Sequence, residues 1–117
     1  MKNQYFGDIN DYRKYGLLRS IILTAEFRIL VAWVLTPDDD RTDGKFVGYL
    51  EKPDKWSSYD TELFEALKNL LRPNQVRQVA LLENTGLLPE AKYFNTPVPD
   101  DEERGAWFSS LCECAQD

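Results

Sequence analysis

Apolar residues along the chain change their spacing several times, and each change predicts an element. Tyr12, Tyr15, Leu18 and Ile22 recur three or four residues apart, the spacing of one helix face, with Arg13, Lys14 and Arg19 placed elsewhere on the cylinder. Asn10 or Asp8 supplies the capping oxygen, and the helix runs to about Thr24. Gly16 falls inside it, costing about 1 kcal/mol against alanine and leaving room for a close backbone or ligand, or simply for packing. From Arg28 to Leu35 the run R-I-L-V-A-W-V-L is almost wholly apolar, the pattern of a strand buried on both faces in a parallel sheet, and Pro37 ends it.

Beyond Pro37 the pattern turns polar. Thr36 to Gly44, T-P-D-D-D-R-T-D-G, reads as a loop at the strand's carboxyl end, where ligand sites form in open α/β sheets. Lys45 to Leu50 fits a short strand or a helical turn, and Pro53 interrupts the chain before Trp56. Asp60 then caps a helix from Thr61 to Leu71 with an apolar face of Leu63, Phe64, Leu67, Leu70 and Leu71, stopped by Pro73. A second helix is predicted from Gln75 to Asn84 with Gly86 as its stop, then a short strand from Ala91 to Asn95. A last helix follows the loop Thr96 to Asp100, with Asp100 as cap, Asp101 to Glu103 at its positive end, and Trp107, Phe108 and Leu111 packing inward. The whole of 1–117 therefore reads as one α/β domain.

Charge and chemistry narrow the functional classes. The 117 residues carry a formal charge of −6, which disfavours direct binding to phosphate backbones and suits a protein that covers a basic groove on a partner. No apolar run is long enough to span a membrane and the start lacks a signal-peptide layout, so a cytoplasmic location is expected. There is no histidine, which removes Ser-His-Asp and Cys-His catalysis and histidine-ligated zinc. Cys112 and Cys114 are too close in sequence for an easy disulfide and too few for a zinc site, so both are expected to be reduced.

Two clusters remain as candidate sites. The segment Asn3 to Arg19 is unusually aromatic for a chain start, where segments normally fray. Within it Asn3, Tyr5, Asp8, Asp11, Tyr12, Lys14 and Tyr15 either frame a pocket for a planar base or serve as core and lip residues. Asp38, Asp39, Asp40 and Asp43 form either a solvated acidic turn or a set of oxygen ligands for Mg²⁺ or Ca²⁺. Pro37-Asp38 followed by Asp43-Gly44-Lys45 also echoes the PD…DxK pattern of metal-dependent nucleases, although only four residues separate the two aspartates.

Four segments carry a resemblance. Phe6 to Arg19 (F-G-D-I-N-D-Y-R-K-Y-G-L-L-R), Val31 to Asp39 (V-A-W-V-L-T-P-D-D), Asp43 to Leu50 (D-G-K-F-V-G-Y-L) and Tyr59 to Phe64 (Y-D-T-E-L-F) together resemble a widespread family of bacterial and phage proteins with Rossmann-type, methyltransferase-like folds. Gly7 to Tyr15 is more distantly similar to the entry segment of ribosomal-RNA adenine-N6 methyltransferases, which lies near the substrate and S-adenosylmethionine pocket. Family members continue past a segment like Trp107 to Asp117 into a strand ending in an aspartate-proline-aspartate-asparagine-glycine motif, which this sequence does not include.

The resemblance thus implies an amino-terminal half: a small partial Rossmann-like sheet of two to four strands with about four flanking helices. Such a half is expected to leave Val31, Trp33 and Val34 uncovered and to need a protein partner or a second copy. The favoured expectation is a binding protein and not a self-contained catalyst, with a phage or mobile-element inhibitor of a host defence complex as its setting. The alternatives are a nucleotide- or S-adenosylmethionine-binding half-enzyme, in which Asp8, Asp11 and Lys14 position substrate, and a metal-dependent nuclease.

Overall fold

The computed structural model describes residues 1–42, 44–72 and 76–116 and has a mixed α/β architecture. Helix α1 (Ile9–Ala25) is followed by strand β1 (Leu30–Ala32), a one-turn helix α2 (Pro53–Trp56) and helix α3 (Thr61–Leu70). A further single turn α4 (Ala80–Glu83), strand β2 (Lys92–Phe94) and helix α5 (Arg104–Ala115) complete the order. The strands pair in parallel, with Leu30 opposite Lys92, Val31 opposite Tyr93 and Ala32 opposite Phe94. The Cα trace measures 47 × 39 × 18 Å, a flat body in which α1 and α3 cover the core.

Local chemistry explains most of these boundaries. Asp8, not Asn10, caps α1, its carboxylate accepting the Asp11 N–H at 2.9 Å. Asp60 caps α3 in the same way, accepting from Leu63 N at 3.1 Å. Lys45 to Leu50, expected as strand or turn, ends in a 3-10 turn at Gly48–Glu51. Tyr15, Phe6, Phe64, Leu63, Leu67, Leu82 and Leu88 are fully buried and bring α1, α3 and α4 onto one core.

Four expectations about the elements are corrected, and with the first of them the expected exposure of Trp33. The apolar run 28–35 forms only three paired residues, because Val34 adopts a left-handed φ of +51° that ends the ladder. Burial there is one-sided: Trp33 and Leu35 are buried while Val34 faces solvent and Leu30 to Ala32 are half-covered. Trp33 is not left open, since its indole stacks on Tyr93 at 6.0 Å and donates to Glu83 Oε1 at 2.8 Å. Gln75 lies outside the described residues, and from Val76 to Asn84 only Ala80–Glu83 is helical. Val79 N donates to Asn3 Oδ1 at 2.9 Å and Arg77 donates to the Phe6 and Gly44 carbonyls at 2.8 and 2.7 Å, so this stretch binds the chain start instead of coiling.

The third correction is Arg19, which does not face away from the core. It is 8% exposed, on the same stripe as Tyr12, Tyr15 and Ile22, and bridges Asp60 at 2.7 Å, Glu62 at 3.2 Å and the Leu87 carbonyl at 2.5 Å. The fourth is α5, which buries no residue: Phe108 is 59% exposed and Leu111 half-covered. Trp107 alone of the three packs as expected, edge-on to Phe94 at 5.6 Å with its indole N–H on the Thr96 carbonyl at 2.9 Å. Asp100 makes no side-chain cap and a 3-10 turn, Asp101–Glu103, leads into the helix. The cysteines are both free thiols, Cys112 exposed and Cys114 half-buried.

Two substitutions check this account. Arg19→Ala leaves the Leu87 carbonyl and Asp60 without their buried cation and should cost about 3 kcal/mol in urea unfolding, whereas a loss within the range of a surface ion pair, below about 1 kcal/mol, would contradict the hub role. Gly44 has φ +81° and its missing Cβ would overlap the Tyr5 ring, so Gly44→Ala should cost about 2 kcal/mol in the same assay; an unchanged midpoint would show that the contact is loose.

Candidate binding site around Trp56

The carboxylates and rings of the chain start are engaged in holding backbone. Asp8 caps α1, and Asp11 accepts the Gly7 N–H at 2.9 Å while pairing with Lys14 at 3.0 Å. Lys14 Nζ also sits 5.2 Å from the Tyr15 ring centre. Tyr5 is half-buried against Gly44. Tyr15 is 1% exposed, edge-on to Trp33 at 6.3 Å, and its hydroxyl has no hydrogen-bond partner among the described residues. Tyr12 stacks on Tyr49 at 5.3 Å, and its hydroxyl donates to the Trp56 carbonyl at 2.6 Å and accepts the Asp60 N–H at 3.1 Å. Asp8, Asp11, Tyr12 and Tyr15 are brought together as core, whereas Lys14 is exposed and, with Tyr15, lines a hollow of about 290 Å³ against Ile29 to Trp33.

The acidic loop meets the same segment, but as a clasp. Asp38 accepts the Gln4 N–H at 3.1 Å, and Asp39 accepts from Gln4 Nε2 at 2.9 Å and from Arg41 N at 3.1 Å. Lys2 donates to Thr36 and to the Pro37 carbonyl at 2.9 and 2.8 Å, while the Met1 amine donates to the Val34 carbonyl at 2.9 Å. Slight desolvation works against ionisation of Asp39, but the Arg41 and Gln4 donors and the Lys2 charge outweigh it and hold its pKa below the ordinary value. Asp40 is exposed on the loop, and Asp43 lies outside the described residues. Among the described residues no three carboxylate or thiol side chains converge as metal ligands.

An open site lies next door, around a residue that periodicity did not mark. Trp56 forms the wall between two hollows of about 420 and 330 Å³. The first lies between α1 and the Trp56–Asp60 segment, with Arg13, Gly16 and Leu17 on one side and Tyr59 on the other. The second is bounded by Ile9, Phe46, Lys52 and Lys55. Arg13 and Lys55 each lie over the Trp56 ring, at 5.5 and 5.2 Å from its centre.

Gly16 borders the first hollow, and of its two readings the close backbone approach is not seen: a Cβ there would meet Leu63 Cδ2 at an ordinary 3.8 Å. Of the residues expected to form a site, Tyr12 alone lines these hollows. The sequence marks Arg13 only as a charge on the outer side of the first helix, Lys52, Lys55 and Trp56 only as flanking the break at Pro53, and Tyr59 only within the segment resembling the family; the tryptophan directly after an Asp-Lys pair is the available signal.

Among the described residues no helix is long and apolar enough to cross a membrane. Searches of family models, curated proteins and solved structures find no match to this chain.

Four of the six tyrosines share one electrostatic condition. Desolvation raises the phenol pKa of Tyr12, Tyr15, Tyr49 and Tyr93, with the Asp11 charge adding to the rise at Tyr15 and Tyr49 and Glu83 at Tyr93. A raised phenol favours the fold fully below the ordinary value of about 10, and that contribution disappears as pH climbs toward the folded value. An alkaline titration should therefore show these tyrosinates forming in step with loss of helical ellipticity. Smooth ionisation of all six rings with the helices intact would refute the buried assignment.

Proposed function

We propose that this chain works by binding another protein through its carboxyl-terminal arm and not as a self-contained catalyst. One observation carries the reading: α5 is a 12-residue helix that buries no side chain, and it presents Phe108 to solvent shortly after the carboxylates Asp100 to Glu103. An isolated helix of this length is marginal in water, so an exposed apolar side chain on it favours a covering partner. The net charge of −6 suits a basic partner surface and speeds encounter with one. The engagement of Asp8, Asp11, Asp38 and Asp39 in local structure supports a role without catalysis.

A cytoplasmic inhibitor of a host defence complex, carried by a phage or mobile element, is the setting proposed for such an arm. The resemblance to methyltransferase-like proteins supplies the rival proposal of an S-adenosylmethionine- or nucleotide-binding half-domain.

The decisive comparison is quantitative capture from host lysate by the native chain and by Phe108→Asp, followed by reconstitution with the purified captured protein. A protein bound in low salt, weakened by added salt and lost with Phe108→Asp is expected. Capture indifferent to Phe108→Asp, together with saturable calorimetric heat from S-adenosylmethionine, would replace this reading with the rival one.

A further inference from the structure

The molecule carries both halves of one complementary pair. Around Trp56, Arg13, Lys52 and Lys55 have no ion-pair partner among the described residues, which is notable on a chain with a net charge of −6. Asp60 borders the first hollow but is held by Arg19 at 2.7 Å, and Glu51 and Asp54, on the same segment, line neither hollow. Leu17, Phe46 and Tyr59 stand 62%, 65% and 76% exposed around the indole, so the apolar walls are uncovered as well. This face therefore asks for an acidic segment with an apolar anchor. The sequence Asp100-Asp101-Glu102-Glu103 leading to Phe108 has that composition, and Arg104 neutralises only Asp101, at 2.8 Å.

We infer that the acidic arm of one copy docks into the Trp56 hollows of a second copy, with Phe108 entering a hollow and the carboxylates meeting Arg13, Lys52 and Lys55. This rests on the reading of α5 as a binding arm and names a partner for it. The two surfaces differ, so the contact is head-to-tail and leaves a free arm at one end and a free receiver at the other. The overall negative charge opposes association at long range. At contact, three cations facing four carboxylates in a partly desolvated apolar site outweigh that repulsion, because the distant charges are screened within about 8 Å at physiological salt. A single-stranded nucleic acid would also stack on Trp56, but its phosphates would face the net charge of the whole chain.

The test is sedimentation velocity over a concentration series. Native chain is expected to associate in a concentration-dependent way. Phe108→Asp, which disables the arm, and the double variant Arg13→Glu with Lys55→Glu, which disables the receiver, should each weaken association at least about tenfold. An equimolar mixture of the two disabled proteins should return a heterodimer and stop there, since each retains the half that the other lacks. That result also shows that both variants fold.

A native chain that stays monomeric at every concentration overturns the inference. So does a mixture that fails to pair, or association that survives both variants, or an oligonucleotide saturating the Trp56 face where the chain's own copies do not. If a captured partner is lost with Phe108→Asp while the native chain remains monomeric, the arm reading stands and self-docking falls. If Phe108→Asp changes neither capture nor association, both fall.

Discussion

A buried guanidinium organises the molecule. Arg19 is drawn out of water by the apolar residues around it, and removing that charge from solvent is costly unless every donor finds an acceptor. Asp60, Glu62 and the Leu87 carbonyl supply the acceptors from two other segments, so the position of α1 is fixed relative to both. Asp60 at the same time caps α3, and its N–H meets the Tyr12 hydroxyl, which also binds the Trp56 carbonyl. One ion pair thus sets the start of α3 and, through Tyr12, the placement of the indole that divides the two hollows.

A second set of contacts ties down the chain start. Met1, Lys2 and Gln4 bind residues 34 to 39, while Asn3 and the Phe6 carbonyl bind Val79 and Arg77. Desolvation lowers the Arg77 pKa, opposed by the nearby Asp8 and Asp11 charges, yet its two carbonyl contacts keep the cation in place. Asp8, Asp11, Asp38 and Asp39 satisfy backbone N–H groups of the chain start and the acidic loop that would otherwise lie unpaired.

The body and the arm differ in how they are stabilised. The body packs aromatic rings at 5.3 to 6.5 Å around Tyr12, Tyr15, Trp33 and Phe64, and its interior closes. The arm meets the sheet through Trp107 on Phe94 and, at its end, through Cys114 and Ala115 beside Leu30 and Lys92; it buries no residue fully and leaves Phe108 in water. The carboxylates Asp100 to Glu103 and the cations Arg13, Lys52 and Lys55 thus sit on separate parts of a chain whose net charge is −6.

Local chemistry was enough to place the elements that rest on caps and spacing. The Asp8 and Asp60 caps, the α1 and α3 stripes and the strand at 92–94 follow from side chains within a few residues of one another, and the apolar run before Pro37 suggested a parallel pairing whose register only the tertiary structure fixes. The four-residue spacing from Tyr15 even put Arg19 on the buried stripe, but its charge argued for solvent, and only a carboxylate 41 residues distant makes burial favourable. The early end of β1 at Val34 and the engagement of the acidic loop by Lys2 and Gln4 were decided by tertiary contact too, as was the exposure of α5. Each depends on partners more than 30 residues away, or on the lack of them, and periodicity carries no information about such pairings.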